Sequence, residues 1–125
     1  MSRVDLAGCR VLVVEDDAMV SMLLQDLLVE LGCDVVDSAS RFDEAARKCD
    51  TVAFDVALLD VNLRGEHSFP IAEKLQERGR PFVLATGYGN AILPDSLCAA
   101  PVLQKPYSRQ ELECALWDAV HGPQA

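Results

Sequence analysis

An α/β fold is predicted, with a five-stranded parallel sheet carrying helices on both faces. Three observations predict it. Short, β-branched apolar runs recur along the chain. Stretches of helical period alternate with them. The chain has 125 residues, half of them hydrophobic, which suits one domain with a real core.

"RVLVV" (10–14) reads as a buried strand. In "AMVSMLLQDLLVELG" (18–32), Val20, Leu23, Leu24, Leu27, Leu28 and Leu31 fall on one helical face, and Gly32 stands where a C-terminal cap belongs. "CDVVDSA" (33–39) is a second, weaker strand, and Ser40 starts a helix through "RFDEAARKC". "DVALLD" (55–60) is the third strand. After a polar loop, "FPIAEKLQERG" (69–79) is a helix with proline tolerated in its first turn. "PFVLAT" (81–86) and "PVLQK" (101–105) are two further strands. Between them, "GYGNAILPDSLCAA" (87–100) holds glycines, an asparagine and Pro94, so a short or mobile helix is expected there. Ser108 and Glu111 have capping-box spacing and open the last helix, 109–122. Cys114, Trp117 and Val120 share a face of it, with Trp117 read as core packing. Right-handed crossovers between these units suit the flavodoxin-like, doubly wound order 2-1-3-4-5.

The net charge is −9. That argues against a nucleic-acid partner and leaves a cation or a basic protein as the natural complement. No apolar stretch approaches the ~20 residues a membrane helix needs. The N-terminus lacks a signal-peptide layout, so a cytoplasmic chain is expected. Five scattered cysteines, Cys9, Cys33, Cys49, Cys98 and Cys114, without a C-x-x-C pair, speak against a disulfide framework or a zinc site. Reduced thiols filling core or half-buried gaps are expected instead.

In a parallel sheet all strand C-termini lie on one edge, and ligands bind where the strand order reverses. Here the first strand ends in Glu15 and Asp16, the third in Asp60, the fourth in Thr86 and the fifth in Lys105. Three converging carboxylates either raise their pKa values or share a cation. Hard oxygen ligands with room for water suit Mg²⁺, and the backbone carbonyl of Asn62 is a further candidate ligand. A carboxylate flanked by a metal, an ammonium and a hydroxyl is set up to attack phosphorus. Taken singly, Asp60 reads equally as a loop-start residue and Lys105 as a solvated charge. Asp17 reads as the cap of the first helix.

These residues resemble the receiver domain of two-component response regulators over nearly the full chain. "VLVVEDD" matches the family's acidic pair at Glu15 and Asp16. "LLDVNL" matches the phosphoacceptor strand at Asp60, Thr86 the hydroxyl position, and "KPY" the lysine-proline pair at Lys105 and Pro106. The resemblance implies one receiver domain over 1–125, with a core of about 9–121. It implies that Asp60 takes a phosphoryl group from a sensor histidine kinase or phosphotransfer protein with Mg²⁺ bound. Lys105 and Thr86 then contact the phosphoryl oxygens, and the Lys105–Pro106 bond is cis. The aspartyl phosphate is lost largely through the domain's own site, so the chain is not an enzyme acting on external substrates. Val102 or Leu103 stands where many receivers carry an aromatic switch. "LATGYG" (84–89) is partly similar to the subset reading Phe-Ala-Thr-Gly-x-Tyr, with Leu84 in place of Phe, Tyr88 one position early and Gly89 in the final place. That makes Tyr88 a candidate output element, and phosphorylation is expected to shift 87–100.

The chain ends just after the last helix, so a stand-alone response regulator is expected, with output through contact with a downstream protein or as a phosphate sink. A receiver fragment of a hybrid histidine kinase is the alternative. A Mg²⁺-dependent phosphohydrolase is a further reading, opposed by Asn62 where such enzymes usually place an acid. A binding module with a vestigial pocket is opposed by the intact acids, Thr86 and Lys105.

Overall fold

A computed structural model describes residues 6–87 and 93–122. In order these form β1 (Arg10–Val14), α1 (Ala18–Glu30), β2 (Asp34–Ala39), α2 (Phe42–Thr51), β3 (Val56–Asp60), β4 (Asn62–Leu63), β5 (Glu66–His67), α3 (Phe69–Glu77) and β6 (Phe82–Thr86). A single 3-10 turn (Asp95–Leu97), β7 (Val102–Gln104) and α4 (Arg109–His121) complete them. The main sheet is parallel and runs β2-β1-β3-β6-β7. Counted by its own strands, that is the expected 2-1-3-4-5.

Because successive side chains on a strand point to opposite faces, each apolar run feeds two cores. Leu12, Val14, Ala57, Leu59 and Leu84 pack with Ala45 and Cys49 of α2 and with Ile71, Ala72 and Leu75 of α3. Val11, Val13, Val56, Leu58 and Val83 pack with Leu24 and Leu28 of α1 and with Leu112 and Leu116 of α4. Burial on both faces is why these strands read as unbroken hydrophobic runs.

Asp17 caps α1 as expected. Its carboxylate accepts from the Met19 and Val20 N–H groups at 2.9 and 3.1 Å. Asp17→Ala is expected to cost about 1 kcal/mol, read as a lower denaturation midpoint, and Asp17→Asn much less. Gly32 follows the helix with φ +91°, and a Cβ there would lie 3.3 Å from the Ala7 Cα, so the position requires glycine.

The apolar face expected for α1 is corrected. Ser21, Leu24 and Leu28 are the buried positions. Leu27 and Leu31 are half-buried, whereas Val20 and Leu23 are exposed. The helix is turned toward Ser21, which leaves Met19, Met22 and Leu23 in solvent at 68%, 65% and 64% exposure. The cysteine expectation is corrected in part. Cys33 and Cys49 are buried and Cys9 is half-buried, but Cys98 and Cys114 are exposed. On α4 the i, i+4 pair Leu112 and Leu116 faces the sheet, which carries Cys114 outward. Trp117 packs beside that core and stacks on His121 at 4.3 Å.

The polar loop after β3 is instead a short hairpin, β4–β5, turned by Arg64 (φ 55°) and Gly65 (φ 89°). Both turn residues adopt the left-handed conformation that two-residue hairpins favour. Ser108 and Glu111 form the expected capping box, and the Lys105–Pro106 bond is cis. Of the segment 87–100, the 3-10 turn is described and buries Leu97; Tyr88 and Gly89 lie outside the described residues. No described helix is long and apolar enough to cross a membrane.

Candidate functional site

Register assembles the site. Val14 pairs with Leu59, so Glu15 comes level with Asp60. Asp60 in turn pairs with Ala85, one residue before Thr86. Thr86 pairs with Gln104, one residue before Lys105. The Lys105 N–H also donates to the Thr86 carbonyl at 2.8 Å. Each apolar strand thus delivers its terminal polar residue to the same edge, beside the β1/β3 switch point.

One carboxylate oxygen from each of Glu15, Asp16 and Asp60 lies within 4.8 Å of the others. Glu15 and Asp60 are buried, at 5% and 8% exposure, and Asp16 is half-buried. The Lys105 ammonium sits 3.0 Å from Glu15 Oε1 and 3.5 Å from Asp60 Oδ2. Thr86 is buried at the end of β6. Asn62 directs its N–H to Asp60 Oδ1 at 3.3 Å, while its side-chain oxygen accepts from the Gly65 N–H at 2.7 Å. Glu15, Asp16, Asp60, Asn62, Thr86 and Lys105, all singled out in the sequence, therefore share one edge.

Burial governs the protonation of this cluster. It pushes Glu15 up to about 7, against the opposing hydrogen bonds from the Asp17 N–H and Lys105. Burial also raises Asp60, with Lys105 acting the other way. Asp16 is less enclosed. Burial works against its charge, but hydrogen bonds from Glu15 and the Arg64 N–H outweigh this and hold it below the usual range. Burial likewise opposes the charge of Lys105, yet Glu15 and Asp60 keep its pKa above normal. Without a cation, Glu15 and Asp60 are thus the two carboxylates whose charge burial disfavours.

Two supporting residues escaped the sequence reading. The Arg64 backbone N–H donates to Asp16 Oδ2 at 3.0 Å. The fully buried Ser68 hydroxyl donates to the Asp60 carbonyl at 2.8 Å. Ser68 stands just before α3, but its side chain makes no cap bond. The Arg64-Gly65 pair was the available signal for the turn.

The donor set fits a divalent ion. Three carboxylates facing one ammonium leave two negative charges unbalanced, and all the ligand atoms are hard oxygens.

The model of the response regulator receiver domain family matches residues 11–116. The chain belongs to that family. Receiver domains are the phosphoacceptors of two-component signalling. Among curated relatives of this receiver domain, the sensory transduction protein LytR of Staphylococcus haemolyticus is 28% identical over 116 residues, covering 90% of this chain and 45% of that protein. The transcriptional regulatory protein PdtaR of Mycobacterium tuberculosis is 29% identical over 115 residues, covering 89% and 56%. The receiver domain thus spans about half the length of these relatives. Among solved structures, SdrG from Sphingomonas melonis Fr1 is 37% identical with a TM-score of 0.76, over 87% of this chain and 93% of that one. The receiver domain of the putative response regulator NarL from Mycobacterium tuberculosis shares the fold at TM-score 0.80 and 23% identity, over 94% and 99%.

Proposed function

We propose that Asp60 is the phosphoacceptor of a two-component response regulator whose receiver unit spans 1–125 with a core of about 9–121. Glu15, Asp16, Asp60 and the Asn62 carbonyl would hold Mg²⁺, and Lys105 and Thr86 would contact the incoming phosphoryl oxygens. The observation that carries this reading is the buried Asp60 carboxylate clustered with Glu15 and Asp16, with the Lys105 ammonium 3.0 Å from Glu15 and 3.5 Å from Asp60. Mg²⁺ supplies charge neutralisation where phosphoryl oxygens gather. Asp60 attacks phosphorus, and the phosphorus–nitrogen bond of the donor phosphohistidine breaks, releasing the imidazole. Lys105, 3.5 Å from the Asp60 carboxylate, neutralises charge on the incoming phosphoryl oxygens. Asn62 holds the hairpin turn through its amide oxygen and carries no acidic proton, which argues against a phosphohydrolase of external esters.

The donor is a sensor histidine kinase or phosphotransfer protein. It seats on the exposed Met19, Met22 and Leu23 of α1, which begins at Ala18, with the cap residue Asp17 between it and the acidic pair. Unbranched, polarisable methionines suit such an adaptable contact. Met22→Asp is expected to slow transfer from a phosphohistidine donor by roughly tenfold or more. Uptake from acetyl phosphate should not change, and equal loss with both donors would refute the docking role. Output runs through contact with a downstream protein or as a phosphate sink, in the cytoplasm. SdrG, at 36% identity, has a solution structure of its BeF3-activated conformation, so beryllofluoride is a suitable mimic here.

The test is incubation with Mg²⁺ and acetyl phosphate followed by intact mass. One added phosphoryl group, alkali-labile and absent when a chelator is present, is expected. No adduct, or an alkali-stable one, would overturn the assignment.

A further inference from the structure

Two free thiols, Cys9 and Cys33, lie at the opposite end of β1. We propose that Cys9 and Cys33 form a redox-active dithiol that a hydroperoxide closes into an intrachain disulfide. Arg10 pairs with Asp34, so the preceding residues, Cys9 and Cys33, stand opposite each other on neighbouring parallel segments. Two backbone bonds clamp this spot. The Asp34 N–H donates to the Cys9 carbonyl at 2.8 Å, and the Gly8 N–H to the Gly32 carbonyl at 2.9 Å. Neighbouring strands lie ~4.8 Å apart, inside the ~4.4–6.8 Å Cα separation that disulfides span.

Both side chains point to the same side of the sheet. Cys9 follows the alternation of Val11 and Val13, Cys33 that of Val35, and all five belong to or pack on the cluster beneath α1 and α4. Access is unequal in a useful way. Cys9 is half-buried beside the exposed Gly8 and Arg10, whereas Cys33 is buried. Interaction with the neighbouring Cys33 thiol holds the Cys9 pKa below the usual thiol value. The same interaction and burial push Cys33 far up. Cys9, the thiol partly open to solvent, is the attacking thiolate and buried Cys33 the resolving thiol.

The chemistry balances. Cys9 sulfur attacks a peroxide oxygen, the oxygen–oxygen bond breaks, and the departing oxygen takes a proton. The resulting sulfenic acid is attacked by Cys33. A sulfur–sulfur bond forms, the sulfur–oxygen bond breaks, and water leaves with the thiol proton. The peroxide is reduced by two electrons as two thiols are oxidised. Of the remaining cysteines, Cys49 lies in the core on the other face of the sheet, and Cys98 and Cys114 are exposed.

The experiment uses the full chain, both native and as Cys98→Ser/Cys114→Ser. Each is treated with stoichiometric hydrogen peroxide, blocked with an alkylating agent, and analysed intact and as a non-reduced tryptic digest; cleavage after Arg10 separates the two cysteines. Both forms are expected to lose the mass of two hydrogens, reversibly with dithiothreitol, and to yield a peptide linking Cys9 to Cys33. Cys33→Ser is expected to stop at a sulfenic acid on Cys9 that dimedone traps. Oxidation without that linked peptide, or linkage of any other pair, would overturn the proposal. Failure of phosphoryl uptake at Asp60 would not touch it, since the two sites share no residue.

Discussion

Asp60→Asn is expected to abolish phosphoryl uptake without lowering stability. Asparagine keeps the side chain's size and an oxygen to accept from the Asn62 N–H, 3.3 Å from Oδ1 in the parent. An amide lacks the anionic oxygen that attacks phosphorus, so the loss should be complete rather than graded. Stability should hold or rise, because burial already disfavours the Asp60 charge and the change removes one of three mutually repelling carboxylates. Lys105 keeps its partner Glu15 at 3.0 Å. Intact mass after acetyl phosphate treatment and a denaturation curve together check this. An adduct persisting in the variant would mean that another group accepts the phosphoryl, and a sharply lower midpoint would mean that the ionised Asp60 is a structural requirement.

The second large effect is on stability in the absence of metal. The folded pKa of Glu15, about 7, exceeds its unfolded value of 4.5. Between those values the folded state binds more protons than the unfolded state, so stability falls as pH rises. The Glu15 contribution is full below 4.5 and lost as pH passes through 7. Asp60, also raised, acts in the same direction. The shift corresponds to on the order of 3 kcal/mol, or roughly 10 °C of denaturation midpoint between about pH 5 and about pH 8 in chelator. The surface carboxylates Asp37, Asp50 and Asp55 are shifted downward by their basic partners, so their contributions change only in more acidic solution. Mg²⁺ requires the deprotonated cluster, so its stabilising effect should grow over the same interval and offset the fall. A midpoint that is flat or rising with pH in chelator would contradict the protonated Glu15.

The sheet and the site edge were legible in the sequence for related reasons. Runs such as "RVLVV" and "VALLD" have both faces buried, so they stand out as unbroken apolar stretches. A polar residue at the end of each then marks the edge. The orientation of α1 was not legible, because Met19, Val20, Met22, Leu23 and Leu24 are all apolar, and the polar residue among them, Ser21, is the one that is buried. Arg64 and Ser68 stayed hidden for a different reason. Arg64 supports the acids through a backbone N–H that any residue but proline supplies. The Ser68 hydroxyl turns back to a strand carbonyl instead of capping the helix that follows. The exposed Cys114 was misjudged because a cysteine's burial depends on which helical face it lands on, and 3.6-residue spacing alone did not set the phase of α4; Cys98 lies just after the 3-10 turn, where no helical period applies.

The amide of Arg64 ties the tip of the β4–β5 hairpin to Asp16. The tip and the acidic pocket are therefore mechanically linked: whatever draws Asp16 inward tugs on an outer loop. A partner resting on that loop would sense whether the pocket is filled without ever touching its contents.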